Sequence, residues 1–265
     1  MAAGAGFRLM LHCDGLKGRD CIGCPAWALL EALHLLKPKK VCQVPVSVKI
    51  CGVRTPSIVN AAVEAGAGYV GFVFFAKSPR HLTPEAARPL AELAFGRIET
   101  VAVLVDPDDA FIDEIVTIVR PSLLQLHGSE TPQRVAAIRA RSGLRTIKAI
   151  GVATANDAAK AATYRGIADM ILFDARPPAG SDVAGGHGLA FDWSALAGLS
   201  TERPFALSGG LDPDNVWEAL VTTGADMVDA SSGVERAPGE KDPALVREFI
   251  QAARALRSLE KARAS

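Results

Sequence analysis

The chain has no excess charge: 29 lysines and arginines balance 29 aspartates and glutamates. No bulk field therefore draws it to nucleic acid or to an acidic membrane surface. Any ligand must be held by local groups. Aromatic residues are scarce at 6%, but hydrophobic residues reach 49% of 265 positions, ample for one large domain or two small ones. Cysteine is missing after Cys51, and Cys13, Cys21, Cys24 and Cys42 all lie ahead of it. The main body can then hold no internal disulfide, which fits a reducing cytoplasm. No basic start leads into an apolar stretch, so no signal peptide is expected. The apolar run over 26–36 is broken by Glu31 and His34 and is too short to span a bilayer. The sequence reads as a soluble, cytoplasmic protein with neither nucleic-acid nor membrane partners.

From Val46 onward, short β-branched runs alternate with longer alanine-rich ones. Strands are expected at 46–51, 69–74, 100–105, 123–127, 145–150, 169–174, 204–208 and 226–230. Helices are expected at 57–65, 84–94, 109–119, 132–141, 156–164, 213–223 and 243–256. Thr131-Pro132 and Asp212-Pro213 have the cap-then-proline pattern of helix starts. The strands are nearly all apolar rather than alternating, as in a sheet buried on both faces. Strand followed by helix, eight times in about 210 residues, predicts a (β/α)8 barrel. A doubly wound open sheet would more usually carry a glycine-rich dinucleotide fingerprint after its first strand, and none is present. Three segments result: an extension over 1–45 outside the repeat, a barrel over 46–258, and a tail over 259–265. The extension reads as disordered or as a mispredicted start. A metal site built on Cys21-Ile22-Gly23-Cys24 with Cys13 and Cys42 is the alternative, but a single CxxC is weak support for zinc. No metal or cofactor is expected.

Chemistry in such a barrel sits at the C-terminal ends of the strands. The residues there are Cys51, the loop Lys77-Ser78-Pro79-Arg80, Asp106, Gln125 with His127, Asp174, Ser208-Gly209-Gly210 and the run from Asp229 to Gly233. A thiol and a carboxylate at two strand ends, Cys51 and Asp174, can form an acid and base pair facing one substrate. The loops after strands seven and eight are where a phosphate is usually cradled by backbone N–H groups. Gly209, Gly210 and Gly233 let the backbone approach an anion, and Ser208, Ser231 and Ser232 add hydroxyl donors.

Lys-Ile-Cys-Gly at 49–52, the run 71–80 ending in Lys-Ser-Pro-Arg, Gln-Leu-His-Gly at 125–128, Leu-Phe-Asp at 172–174, Leu-Ser-Gly-Gly-Leu at 207–211 and Asp-Ala-Ser-Ser-Gly-Val-Glu at 229–235 resemble the phosphoribosylanthranilate isomerase family of tryptophan biosynthesis. The resemblance covers 47 to about 257 with every motif in family order. It implies an Amadori rearrangement of N-(5′-phosphoribosyl)anthranilate to 1-(2-carboxyphenylamino)-1-deoxyribulose 5-phosphate. Asp174 would be the general acid that opens the ribose ring and Cys51 the general base that takes the C2′ proton. Arg80 would hold the anthranilate carboxylate through its planar fork, with Gln125 and His127 lining the pocket. The partner is then a small phosphosugar, and the protein a monomer or homodimer.

Two positions depart from the family. The loop Gly185-Gly186-His187-Gly188-Leu189 has His187 and Leu189 where serine or threonine and lysine are usual, which bears on how it closes over substrate. Ala175 follows Asp174 where a hydroxyl residue is common. The barrel isomerase of histidine biosynthesis is the competing enzyme, but it resembles a two-aspartate design and the thiol argues against it. A non-catalytic phosphate-ligand sensor is the competitor from a different class.

Overall fold

The structure, a computed structural model, describes residues 46–176, 191–196 and 204–264, with side chains to Ala255. The cysteine-bearing extension and the loop carrying His187 and Leu189 lie outside the described residues. Eight parallel strands close into a barrel in chain order: β1 (Ser47–Cys51), β2 (Tyr69–Phe74), β3 (Glu99–Leu104), β4 (Leu123–Leu126), β5 (Arg145–Val152), β6 (Met170–Ala175), β7 (Phe205–Leu207) and β8 (Met227–Ala230). β8 returns to β1, so the sheet has no free edge. The helices are α1 (Pro56–Ala65), α2 (Pro84–Ala94), α3 (Asp109–Ile118), α4 (Pro132–Ser142), α5 (Ala155–Ala159), α6 (Val216–Thr223) and α7 (Pro243–Ala264).

Their starts follow local chemistry. Thr83, Asp108 and Thr131 accept hydrogen bonds from the N–H groups of Ala86, Phe111 and Arg134, capping donors that the first turn leaves free. Alternation along each strand divides the core in two. Val48, Ile50, Phe72 and Leu104 face the helices, while Val101, Ile147, Leu172 and Met227 fill the barrel interior. Each such side chain contributes about 1.5–3 kcal/mol by leaving water.

Three expectations need correction. α6 begins at Val216, not at Pro213. Asp212 Oδ1 accepts from the N–H groups of Asp214 and Asn215, and Asn215 Nδ2 donates to the Gly210 carbonyl, so side chains tie this segment into a turn before the helix starts. The helix expected to reach Tyr164 is α only to Ala159 and continues as a 3-10 helix over Lys160–Tyr164. α7 runs to Ala264, past the end expected at 256. A small antiparallel pair, β9 (Glu235–Ala237) with β10 (Glu240–Lys241), had no counterpart in the sequence reading.

Candidate active site

On β1, Val48 and Ile50 turn outward, which leaves Lys49 and Cys51 on the inner face. Lys49 is fully buried, and its Nζ donates to Asp229 Oδ2 at 2.7 Å. Asp229 is its register partner on β8. The other carboxylate oxygen, Oδ1, is buried with no hydrogen-bond partner among the described residues. Opposite Cys51 on β2 stands Gly71. A Cβ at Gly71 would lie 3.2 Å from Cys51 Sγ and 3.3 Å from Lys49 Cε, so the missing side chain is the space that thiol and lysine share.

β6 carries Asp174 to the same rim. Its Oδ1 accepts from the Ala175 N–H at 2.9 Å, and its Oδ2 lies 3.0 Å from His127 Nε2. His127 Nδ1 is 2.8 Å from the amide nitrogen of Gln125, a fully buried side chain. With that amide nitrogen as donor, Nδ1 accepts, and Nε2–H donates to the carboxylate. The sequence placed Gln125 and His127 as pocket lining. The structure joins them to Asp174 in one chain.

Arg80 reaches the site from the loop after β2. Its Nε and Nη2 each donate at 2.8 Å to one oxygen of Glu235, a bidentate contact that fixes the guanidinium plane. Glu235 also accepts from Lys241 Nζ at 2.7 Å. The Arg80 stem crosses directly over Gly52, where φ is +76° and a Cβ would collide with it. The turn after β1 thus needs glycine for two reasons, backbone angle and close approach.

The two expected phosphate loops meet. Ser208 Oγ donates to the Asp229 carbonyl at 3.2 Å and Ser231 Oγ to the Cys51 carbonyl at 3.3 Å. Gly209 (φ +88°) packs on the backbone of Ala175, and Gly233 on the carbonyl of Leu211, so neither tolerates a side chain. Ser232 and Gly233 lie in a single 3-10 turn over Ser232–Val234. By contrast, Asp106 turns out to brace a loop, since its Oδ1 accepts from the Ser129 N–H. Among the described residues no group of three or more His, Cys, Asp or Glu is placed to hold a metal ion.

Residues 48–252 match the family described as N-(5′-phosphoribosyl)anthranilate (PRA) isomerase. The chain belongs to this family. An N-(5′-phosphoribosyl)anthranilate isomerase of Brucella canis is 54% identical over 205 residues, 77% of this chain and 92% of the relative. The dimeric phosphoribosylanthranilate isomerase of Thermotoga maritima, solved as generated monomers, superposes with a TM-score of 0.70 at 36% identity, covering 79% of this chain and 99% of that one. A phosphoribosylanthranilate isomerase in complex with reduced 1-(o-carboxyphenylamino)-1-deoxyribulose 5-phosphate gives a TM-score of 0.70 at 35% identity, covering 79% and 99%.

Within this isomerase-family site, several groups escaped the sequence reading: Lys49, Glu235 and Lys241 as ionic partners, and Asp229 as anything beyond a strand-end residue. A signal existed for Lys49, a lone cation two positions before Cys51 in an apolar strand and therefore on the same face. Burial pushes the Cys51 thiol up, and the Lys49 ammonium is the main force opposing it. Burial pushes Asp229 toward its neutral form, and the Lys49 ammonium at 2.7 Å opposes that shift. Burial works against ionisation of Glu235 too, yet the hydrogen bonds from Arg80 and Lys241 outweigh it and hold the carboxyl below the ordinary range.

Proposed function

We propose that this barrel isomerises N-(5′-phosphoribosyl)anthranilate to 1-(2-carboxyphenylamino)-1-deoxyribulose 5-phosphate in tryptophan biosynthesis, with Asp174 as general acid and Cys51 as general base. The observation that carries the roles is their placement. Both stand at the C-terminal rim, from strands on different sides of the barrel, with side chains inward. Asp174 protonates the ribose ring oxygen, and the ring opens to a Schiff base. The Cys51 thiolate then removes the C2′ proton, and the enolamine tautomerises to the ketone.

The geometry constrains the first step. With the Gln125 amide nitrogen as donor, His127 Nε2–H and the Ala175 N–H both donate to Asp174. With the proton on Oδ2, His127 Nε2 becomes the acceptor and Nδ1 carries the imidazole hydrogen. The Gln125 amide then has to present Oε1, the oxygen that is buried and without a partner in the resting state. Turning the Gln125 amide therefore lets the chain adopt either arrangement.

Arg80, held flat by Glu235, takes the anthranilate carboxylate. Ser208, Gly209 and Gly210, together with Ser231, Ser232 and Gly233, cradle the 5′-phosphate through backbone N–H groups. We place the protein in the cytoplasm as a monomer or homodimer. No helix among the described residues is long and apolar enough to cross a membrane, and a relative at 36% identity is described as dimeric. Incubation with phosphoribosylanthranilate tests the reading. Its fluorescence should fall as the aminoketose forms, and a persistent signal with tight binding would make the protein a sensor instead. The analogous aminoaldose of histidine biosynthesis should be left unconverted.

A further inference from the structure

Lys49 and Asp229 are both buried, and neither has an assigned part in the chemistry above. The pair lies directly under the thiol. Lys49 and Cys51 are i and i+2 on the inner face of β1, and they flank the space left by Gly71, where a Cβ would lie 3.3 Å from Lys49 Cε and 3.2 Å from Cys51 Sγ. One ammonium therefore has two candidate anions, the Asp229 carboxylate at 2.7 Å and the thiolate form of Cys51. We propose that Lys49 is a counter-ion shared between Asp229 and the Cys51 thiolate, so that Asp229 sets how basic the thiolate is.

This inference rests on Cys51 being the base, and it explains why a base would be built on a pair rather than on a lone cation. An unshared Lys49 would make the thiolate plentiful but weakly basic, because proton affinity falls as pKa falls. With no cation at all, a buried thiol would scarcely ionise. Competition from Asp229 leaves the thiol between these limits. The carboxylate is free to compete because its second oxygen has no partner among the described residues. Lys49 and Asp229 are thus positioning residues that act through Cys51.

The other charges near the thiol are accounted for. Lys241 on β10 favours the thiolate, but it is already in contact with Glu235. Glu235 is in turn held by Arg80. Asp174 and His127 reach Asp229 with opposite effects. Of these groups, Lys49 alone shares the inner face of β1 with Cys51 and also donates to Asp229.

The test is the pH dependence of iodoacetamide alkylation at Cys51 in the full chain. It is read by tandem mass spectrometry on the tryptic peptide that carries Cys51, Ile50 to Arg54, or Val41 to Arg54 once Lys49 is replaced, where fragment ions separate Cys51 from Cys42. In Asp229→Asn the thiolate becomes the ammonium's only anion. The alkylation midpoint should fall by about one pH unit, making labelling at pH 7 roughly threefold faster, since the larger thiolate fraction outweighs its lower nucleophilicity. In the double variant Lys49→Met with Asp229→Asn neither member of the pair carries a charge, and the midpoint should rise above wild type. The order Asp229→Asn, wild type, double variant supports the shared counter-ion, and equal midpoints in all three overturn it. If Asp229→Asn does not fold, wild type against the double variant still decides, since equal midpoints there also overturn it. The readout needs no turnover, so a wild-type protein inactive on phosphoribosylanthranilate would refute the proposed reaction without touching this result.

Discussion

His127 Nε2 lies 3.0 Å from Asp174 Oδ2, and the Gln125 amide holds the other ring nitrogen at 2.8 Å. The carboxyl is aimed by a histidine that is itself aimed by a buried amide. Asn in place of His127 shortens the reach and releases the carboxyl. His127→Asn should lower kcat by about ten- to a hundredfold, the scale for displacing a catalytic group by a fraction of its reach, with little change in KM. Steady-state kinetics at several pH values check this, and an unchanged kcat would leave His127 as pocket lining only.

Gly209 has φ +88° and packs on the backbone of Ala175. Gly209→Ala should cost about 1–3 kcal/mol of stability from the backbone angle alone. It should also weaken competition by inorganic phosphate, because the loop has to move off Ala175. Thermal denaturation and inhibition by phosphate measure the two effects separately. A variant with normal stability and normal inhibition would remove this loop from the phosphate site.

Glu235 aligns Arg80. Arg80→Ala should raise KM by the equivalent of roughly 1.5–3 kcal/mol, the value of a charged hydrogen-bonded contact, and Glu235→Gln should raise it less and in the same direction. Because the folded-state pKa of Glu235 is lowered, its contribution to stability is present above the unfolded value of about 4.3 and is lost as pH falls through and below it. The acid limb of wild-type stability should therefore be steeper than that of Glu235→Gln. Urea denaturation at pH 7 and at about pH 4 tests the difference, and parallel limbs would contradict it.

The barrel strands were legible because they are short apolar runs divided by capped helices, and each strand was located to within two residues at its ends. The placing of Cys51, Asp174 and the two glycine–serine loops at strand ends was legible from the same strand pattern. Lys49, Glu235 and Lys241 were not, since a charge buried by a partner far along the chain looks the same in sequence as one in solvent. Lys49 and Asp229 are 180 residues apart, and only closure of the sheet between β8 and β1 makes them neighbours. The start of α6 was misplaced for a local reason, because Asp212-Pro213 also suits a turn stapled by side chains.

A chain beginning at Val46 should fold and turn over substrate. The closed sheet begins at Ser47, and the match to the Brucella canis relative spans 92% of that relative with only 77% of this chain. Circular dichroism and kcat of the shortened protein check this. Stoichiometric zinc in the full chain together with collapse of the short form would contradict it.

The assignment of Cys51 and Asp174 as base and acid is tested most directly by kcat under conditions where chemistry limits turnover. Cys51→Ala and Asp174→Asn act on successive proton transfers, so neither residue can replace the other. Each variant should retain the wild-type fold by circular dichroism and lose roughly 10²–10⁴-fold in kcat, as measured by the disappearance of phosphoribosylanthranilate fluorescence. Near wild-type kcat in either folded variant would contradict the account.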